Sequence, residues 1–144
     1  MSSLDVRTAI TAAVAAAAAP WPAYDLSDYV SLEDALGSVD SESILIQYVT
    51  SGENIVTIGG EGNQGYEETG SVVLHMVVPT GFESDPTVAK GDSIRLALRG
   101  QRVAPDVTLE QVDPFTDFGL GSGLRVGAWH LWASNVFYSR RDCG

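Results

Sequence analysis

Two histidines, His75 and His130, and one cysteine, Cys143, are the only imidazoles and the only thiol in the chain. Nucleophilic catalysis would pair a Ser or Cys with such a base and a third group that orients it. Neither Ser122 nor Cys143 stands in a nucleophile-elbow or catalytic-cysteine context. Both histidines fall in strand-like segments, where an imidazole is ordinarily a packing side chain. Glu67 and Glu68 could form a carboxylate pair, but adjacent residues of a strand point to opposite faces, which argues against shared acid–base work. Without a Cys pair, an H-x-x-x-H spacing or EF-hand aspartates, no metal is expected. Gly60, Gly62 and Gly65 satisfy G-x-G-x-x-G literally. A dinucleotide site needs a helix next, whose N-terminus holds the pyrophosphate, whereas Tyr66 onward reads as a strand and Glu61, Glu67 and Glu68 would repel phosphate. No cofactor and no enzymatic activity are expected.

The other constellation is cationic. Arg95, Arg99 and Arg102 follow at i, i+4 and i+7, sharing one face if the helix that carries them lasts that long. They read either as a solvated face with local partners, such as Asp92 for Arg95, or as a match for the acidic part of a neighbouring copy. Charge distribution gives the second reading its content. The net charge is −11 over 144 residues. Residues 1–70 hold eleven acidic side chains against Arg7 alone, a balance of −10, and residues 71–144 hold eight against seven, a balance of −1. Such a surface repels phosphate backbones and excludes ordinary duplex binding. Opposite charge on separate parts of one chain suits head-to-tail, ring-forming contacts.

Length and composition favour one domain over residues 1–144, with 44% hydrophobic and 19% charged residues. A single cysteine allows no intrachain disulfide framework and fits a reducing compartment. The alanine run of residues 12–19 makes a poor signal-peptide core, and no stretch of about 18 strongly apolar residues suggests a membrane span.

The elements that would position these residues start from Tyr66 to Pro79. From Val72 to Val78 every residue except His75 is apolar, which predicts a central strand covered on both faces by helices. Val72, Leu74, Met76 and Val78 line one face; Ser71, Val73, His75 and Val77 line the other. Its charged start at Glu67 and Glu68 reads as a place where the sheet reaches an edge that could meet a neighbour. A first helix is expected from Leu4 to about Ala18, capped by Ser3, with Val6, Ile10, Ala13, Val14 and Ala17 as its apolar stripe, ended by Pro20 and Pro22. Ser31 and Asp34 suggest a capped short helical turn. Ile44 to Val49 and Glu53 to Ile58 read as two strands around a turn at Thr50 to Gly52. A second main helix is expected from Pro86 to about Arg99, capped by Ser84 or Asp85. Ile94, Ala97 and Leu98 face its core side, and Gly100 stops it. Val107 to Val112 and Trp129 to Tyr138 read as strands. Between them lies a loop with exposed aromatics, in which Phe115, Phe118 and Leu120 are candidates to order against a partner. The fold class is therefore α+β, a mixed or antiparallel sheet flanked by two main helices.

The block Glu68-Thr-Gly-Ser-Val-Val-Leu-His-Met-Val-Val-Pro-Thr-Gly-Phe82, the helix after it, Val112-Asp-Pro-Phe-Thr-Asp-Phe-Gly119 and the closing Trp129…Val136-Phe-Tyr138 resemble the tail terminator (tail completion) proteins of long-tailed bacteriophages. The resemblance runs from about Ile44 to Tyr138. It implies a virion structural protein that assembles, usually as a hexameric ring, on the head-proximal end of the tail tube. Such a ring ends tube polymerisation and joins the tail to the head-completion protein, with DNA only passing through the lumen. Glu67, Glu68, Arg95, Arg99 and Arg102 are then the subunit-interface candidates. Two alternatives stay open: another neck, head–tail connector or tail-tube protein, and a small α+β enzyme or ligand-binding domain built around His75, Glu67 and Tyr66.

Overall fold

The computed structural model describes residues 4–29, 31–37, 39, 41–57, 65–79, 84–104, 107–116, 124–126 and 129–143. The elements in chain order are α1 (Leu4–Ala18), β1 (Ala23–Asp25), a 3₁₀ turn (Leu26–Asp28), α2 (Leu32–Gly37), β2 (Ser43–Thr57), β3 (Gly65–Pro79), α3 (Ser84–Leu98), β4 (Arg102–Ala104), β5 (Val107–Val112), β6 (Leu124–Val126) and β7 (Trp129–Cys143). The strands form one mixed sheet in the order β1-β2-β3-β7-β5-β4, with β6 also on β7. Only the β1–β2 pair is parallel among the described strands. The α+β class expected from the sequence is the one observed.

The strand read as central is central. Along its full length β3 pairs antiparallel with β2 on one side and β7 on the other, from Gly65 opposite Cys143 to Pro79 opposite Trp129. Val72, Leu74 and Met76 lie on one face in the main core, with Val6, Ile10 and Val14 of α1 and Ile94 and Leu98 of α3. The opposite face is not covered throughout, as the apolar run had suggested. There α2 contributes Ala35 and Leu36, which with Val39 close over Val77, Leu45 and Leu131. Beyond that patch Gln47 and Asn135 are exposed, Val73 is half-buried, and Val49 and Phe137 are 48% and 39% exposed. A six-residue helix is too short to roof a sheet face whose strands run about 3.3 Å per residue.

Three boundaries differ from the expectation. Thr50-Ser-Gly52 is not a hairpin turn, because β2 runs unbroken and places Ser51 opposite Gly70 and Gly52 opposite Thr69. A bulge between Tyr48 and Thr50 absorbs the irregularity, so the turn-forming residues stay in the ladder. The closing strand continues past Tyr138 to Cys143, pairing the polar tail with the start of β3. The second main helix starts at Ser84, so Ser84 and Asp85 are first-turn residues rather than caps. Its buried positions are Thr87, Gly91, Ile94 and Leu98, at helical spacing, while Ala97 is exposed.

Other signals act as read. Ser31 Oγ accepts from the Asp34 amide at 3.1 Å and caps α2. Gly100, with φ of 72°, ends α3 in the left-handed conformation that costs a residue with a Cβ about 1 kcal/mol or more. Val6, Ile10, Val14 and Ala18 bury the inner face of α1, with Ala13 and Ala17 packed at its margin. The Ser3 cap and the glycine-rich residues 59–64 lie outside the described residues. No described helix is long and apolar enough to cross a membrane.

Candidate functional site

A polar cluster gathers on the first turns of α1, at the only basic residue of the first seventy. The Arg7 guanidinium lies 4.6 Å from the Tyr48 ring centroid and donates through Nη2 to Asp25 Oδ2 at 2.9 Å and to Ser27 Oγ. Tyr48 Oη in turn donates to the Arg7 carbonyl at 2.8 Å and lies 2.8 Å from Thr11 Oγ1. Asp25 also accepts from the Ser27 amide at 2.9 Å, the local turn that aspartate favours. Burial alone would raise the Asp25 pKa. The Ser27 hydrogen bonds and the Arg7 charge outweigh it and hold the carboxyl below its ordinary value. Burial pushes the Tyr48 phenol up despite the Thr11 contact. This cluster has its cation paired, its phenol protonated and its carboxylate held by Arg7 and Ser27. It anchors α1 to the β1–β2 edge.

Beside it runs a groove of about 560 Å³ lined by Thr8, Thr11, Ala12, Ala15, Asp25 and Asp28, with Arg7 at its wall. Asp28 is exposed there. Residues 8–18, which carry no charge, supply the helical wall. A smaller hollow of about 280 Å³ lies on the open sheet face among Val73, Asp113, Pro114, Thr116, Ala133 and Asn135.

His75 stands on that open face. Its Nε2 is 3.0 Å from Gln47 Oε1, an acceptor, so the ring proton sits on Nε2 and a buried Nδ1 is left without a hydrogen-bond partner. Burial pushes the His75 pKa below 6.5, so the imidazole is neutral near pH 7. The unfolded chain takes up this proton near its ordinary pKa and the folded chain does not. Stability is therefore expected to fall as pH drops below about 6.5, by at most about 1.4 kcal/mol per pH unit, until the folded pKa is reached. Urea unfolding between about pH 7.5 and 5.5 checks this. His75→Leu should flatten the dependence, and an unchanged slope would refute it.

The site residues read from the sequence are dispersed. Glu67 and Glu68 do not mark a sheet edge, since they lie in the inner strand, opposite Asn54 and Glu53 on β2 and opposite Arg141 and Arg140 on β7. Glu68 Oε2 accepts from Tyr138 Oη at 3.1 Å. The cations across the ladder belong to the polar tail, whose alternation with Glu67 and Glu68 could have been noticed only once its register was known. The arginine stripe is broken: α3 ends at Leu98, Arg99 is in the turn, and Arg102 opens β4. Arg95 turns inward, its Nε donating to the Val112 carbonyl at 3.1 Å, while Arg99 and Arg102 are exposed. Phe115 is not an exposed loop aromatic but packs at the margin of the main core, its Cδ2 3.1 Å from where a Cβ on Gly91 would stand. Phe118, Leu120 and the Glu67 side chain lie outside the described residues. Among the described residues no three His, Cys, Asp or Glu side chains gather as a metal site would require. No protein-family model matches the chain, and no curated protein matches it significantly.

Proposed function

We propose that this chain is a structural subunit of a long-tailed phage virion, a tail terminator that forms a ring on the head-proximal end of the tail tube. The observation that carries this reading is spatial. The phrases on which the resemblance rests are far apart in sequence, yet they occupy neighbouring places in one sheet. Val72 stands opposite Val136 and Pro79 opposite Trp129, α3 follows β3, and Thr116 bridges to Ala133 beside them. A motif dispersed over a chain is informative when its parts meet in the fold. The exposed carboxylate of Asp34 adds to an acidic first half that suits a lumen past which a polyanion must slide without binding.

The subunit would bind the last ring of tail-tube protein, stop its growth and present its other side to the head-completion protein, with no specific nucleic-acid contact. The experiment is electron microscopy of polymerising tail-tube protein with and without this chain. Short tubes closed at one end by a ring of it are the expected result. Decoration along the tube wall would make it a tube component instead, and unaltered tubes would reject the proposal.

A further inference from the structure

The groove beside α1 is acidic at its rim, and the outer side of α3 carries an exposed leucine followed by a basic residue. The groove is a concave surface of about 560 Å³ between Thr8, Ala12 and Ala15 on one wall and Asp25, Ser27 and Asp28 on the other. Small side chains on the helical wall let another backbone approach closely. The charge at its rim is negative, because Arg7 is committed to Asp25 while Asp28 is exposed. On α3 the most exposed large apolar residue in the described chain, Leu96 at 58%, stands out from the helix, with Val88 at 43% two turns earlier. Arg99 follows Leu96 by three residues, a spacing that places both on one side, and Arg102 comes after the turn. Exposed Asp92 lies one turn before Leu96 and Arg99 follows the last helical residue, Leu98, so this side of α3 turns from acidic to basic toward its C-terminal end. Only its C-terminal end is therefore suited to an acidic groove.

We propose that the groove receives the C-terminal end of α3 from a second copy of this chain, Leu96 entering between Ala12 and Ala15 and Arg99 meeting Asp28. The two surfaces belong to different elements, so the contact is heterologous: each subunit offers one groove and one knob. Repetition of such a contact closes into a ring or runs on as a filament. A leucine side chain fits a groove of this volume, and opposed charges at the rim fix which end of α3 enters. The inference deepens the ring reading above and rests on it for closure.

The test is a charge exchange in the full-length chain. Asp28→Arg and Arg99→Asp are both surface changes, and circular dichroism checks that each variant folds. Sedimentation velocity at low salt should give a multi-subunit species for the unaltered chain, and each single variant should weaken association by about tenfold or more through like-charge contact. An equimolar mixture of the two variants should recover assembly, because every groove then meets a knob of opposite sign. Leu96→Glu should abolish assembly irrespective of mixing. If the unaltered chain assembles and the single variants assemble equally well, the groove contact is wrong and the ring reading stands. Loss of assembly in the single variants without recovery on mixing also overturns the contact. A chain that stays monomeric at every concentration overturns both.

Discussion

Truncation of Leu74 to Ala is expected to cost about 3 kcal/mol of folding stability, whereas truncation of its neighbour Val73 to Ala should cost under about 1 kcal/mol. The contrast follows from the two faces of β3. Leu74 is fully buried, opposite Ile46 and Ser134 in the ladder, and packs in the core closed by α1 and α3. Removing its branched end leaves a void that close-packed neighbours on two helices and two strands fill only in part. Val73 faces the other way, with Gln47 and Asn135, both exposed, as cross-strand neighbours. Water already reaches that surface. Urea denaturation midpoints at fixed pH measure both, and equal losses would mean the second face is as well covered as the first.

Enlarging Gly91 to Leu should cost about 2 kcal/mol, although leucine is the better helix former by about 0.8 kcal/mol. Gly91 is buried in the middle of α3. A Cβ there would stand 3.1 Å from Phe115 Cδ2, 3.2 Å from Phe115 Cβ and 3.3 Å from Met76 Cε. The methionine terminus can swing aside, but the phenylalanine is seated on the core and its Cβ is tied to the main chain. A leucine demands more room than the missing Cβ alone, so overpacking outweighs the propensity gain. Phe115→Ala opens the same space. The double variant should therefore lose clearly less stability than the sum of the two single losses, a non-additivity that thermal unfolding can resolve. Additive losses would place the conflict elsewhere.

Much of the architecture was legible because it rests on periodicity. The strand character of β3, though not the covering of both its faces, the 3–4 spacing in α1, the Ser31 cap and the Gly100 stop were kept in the fold. What failed were inferences that need partners. Thr50-Ser-Gly52 carries turn chemistry, yet a long β3 opposite it keeps it extended. Residues 23–28 hold a three-residue strand and a 3₁₀ turn whose only sequence signal is Asp25 two residues before Ser27. The arginine periodicity assumed a helix longer than Gly100 allows. Arg7 carries no local sign of the partners it meets in the fold. Its partners Asp25, Ser27 and Tyr48 are 18, 20 and 41 residues away, a separation over which no local pattern speaks. Charge summed along the chain misled in a related way, since Glu67 and Glu68 belong to the acidic half but lie across the ladder from Arg141 and Arg140.

The length of β2, β3 and β7 sets a mechanical scale. Each has 15 residues and so spans about 50 Å, while α1 and α3, also of 15 residues, span about 22 Å. Past the bulge β3 stays tied to the core through β7, whose Tyr138, opposite Gly70, is buried and pairs with the core residue Leu109 of β5. The long strands are thus held along most of their length by strand pairing as well as by the helix layer. Load applied along the strands is therefore carried by continuous antiparallel pairing over more than twice the length of either main helix.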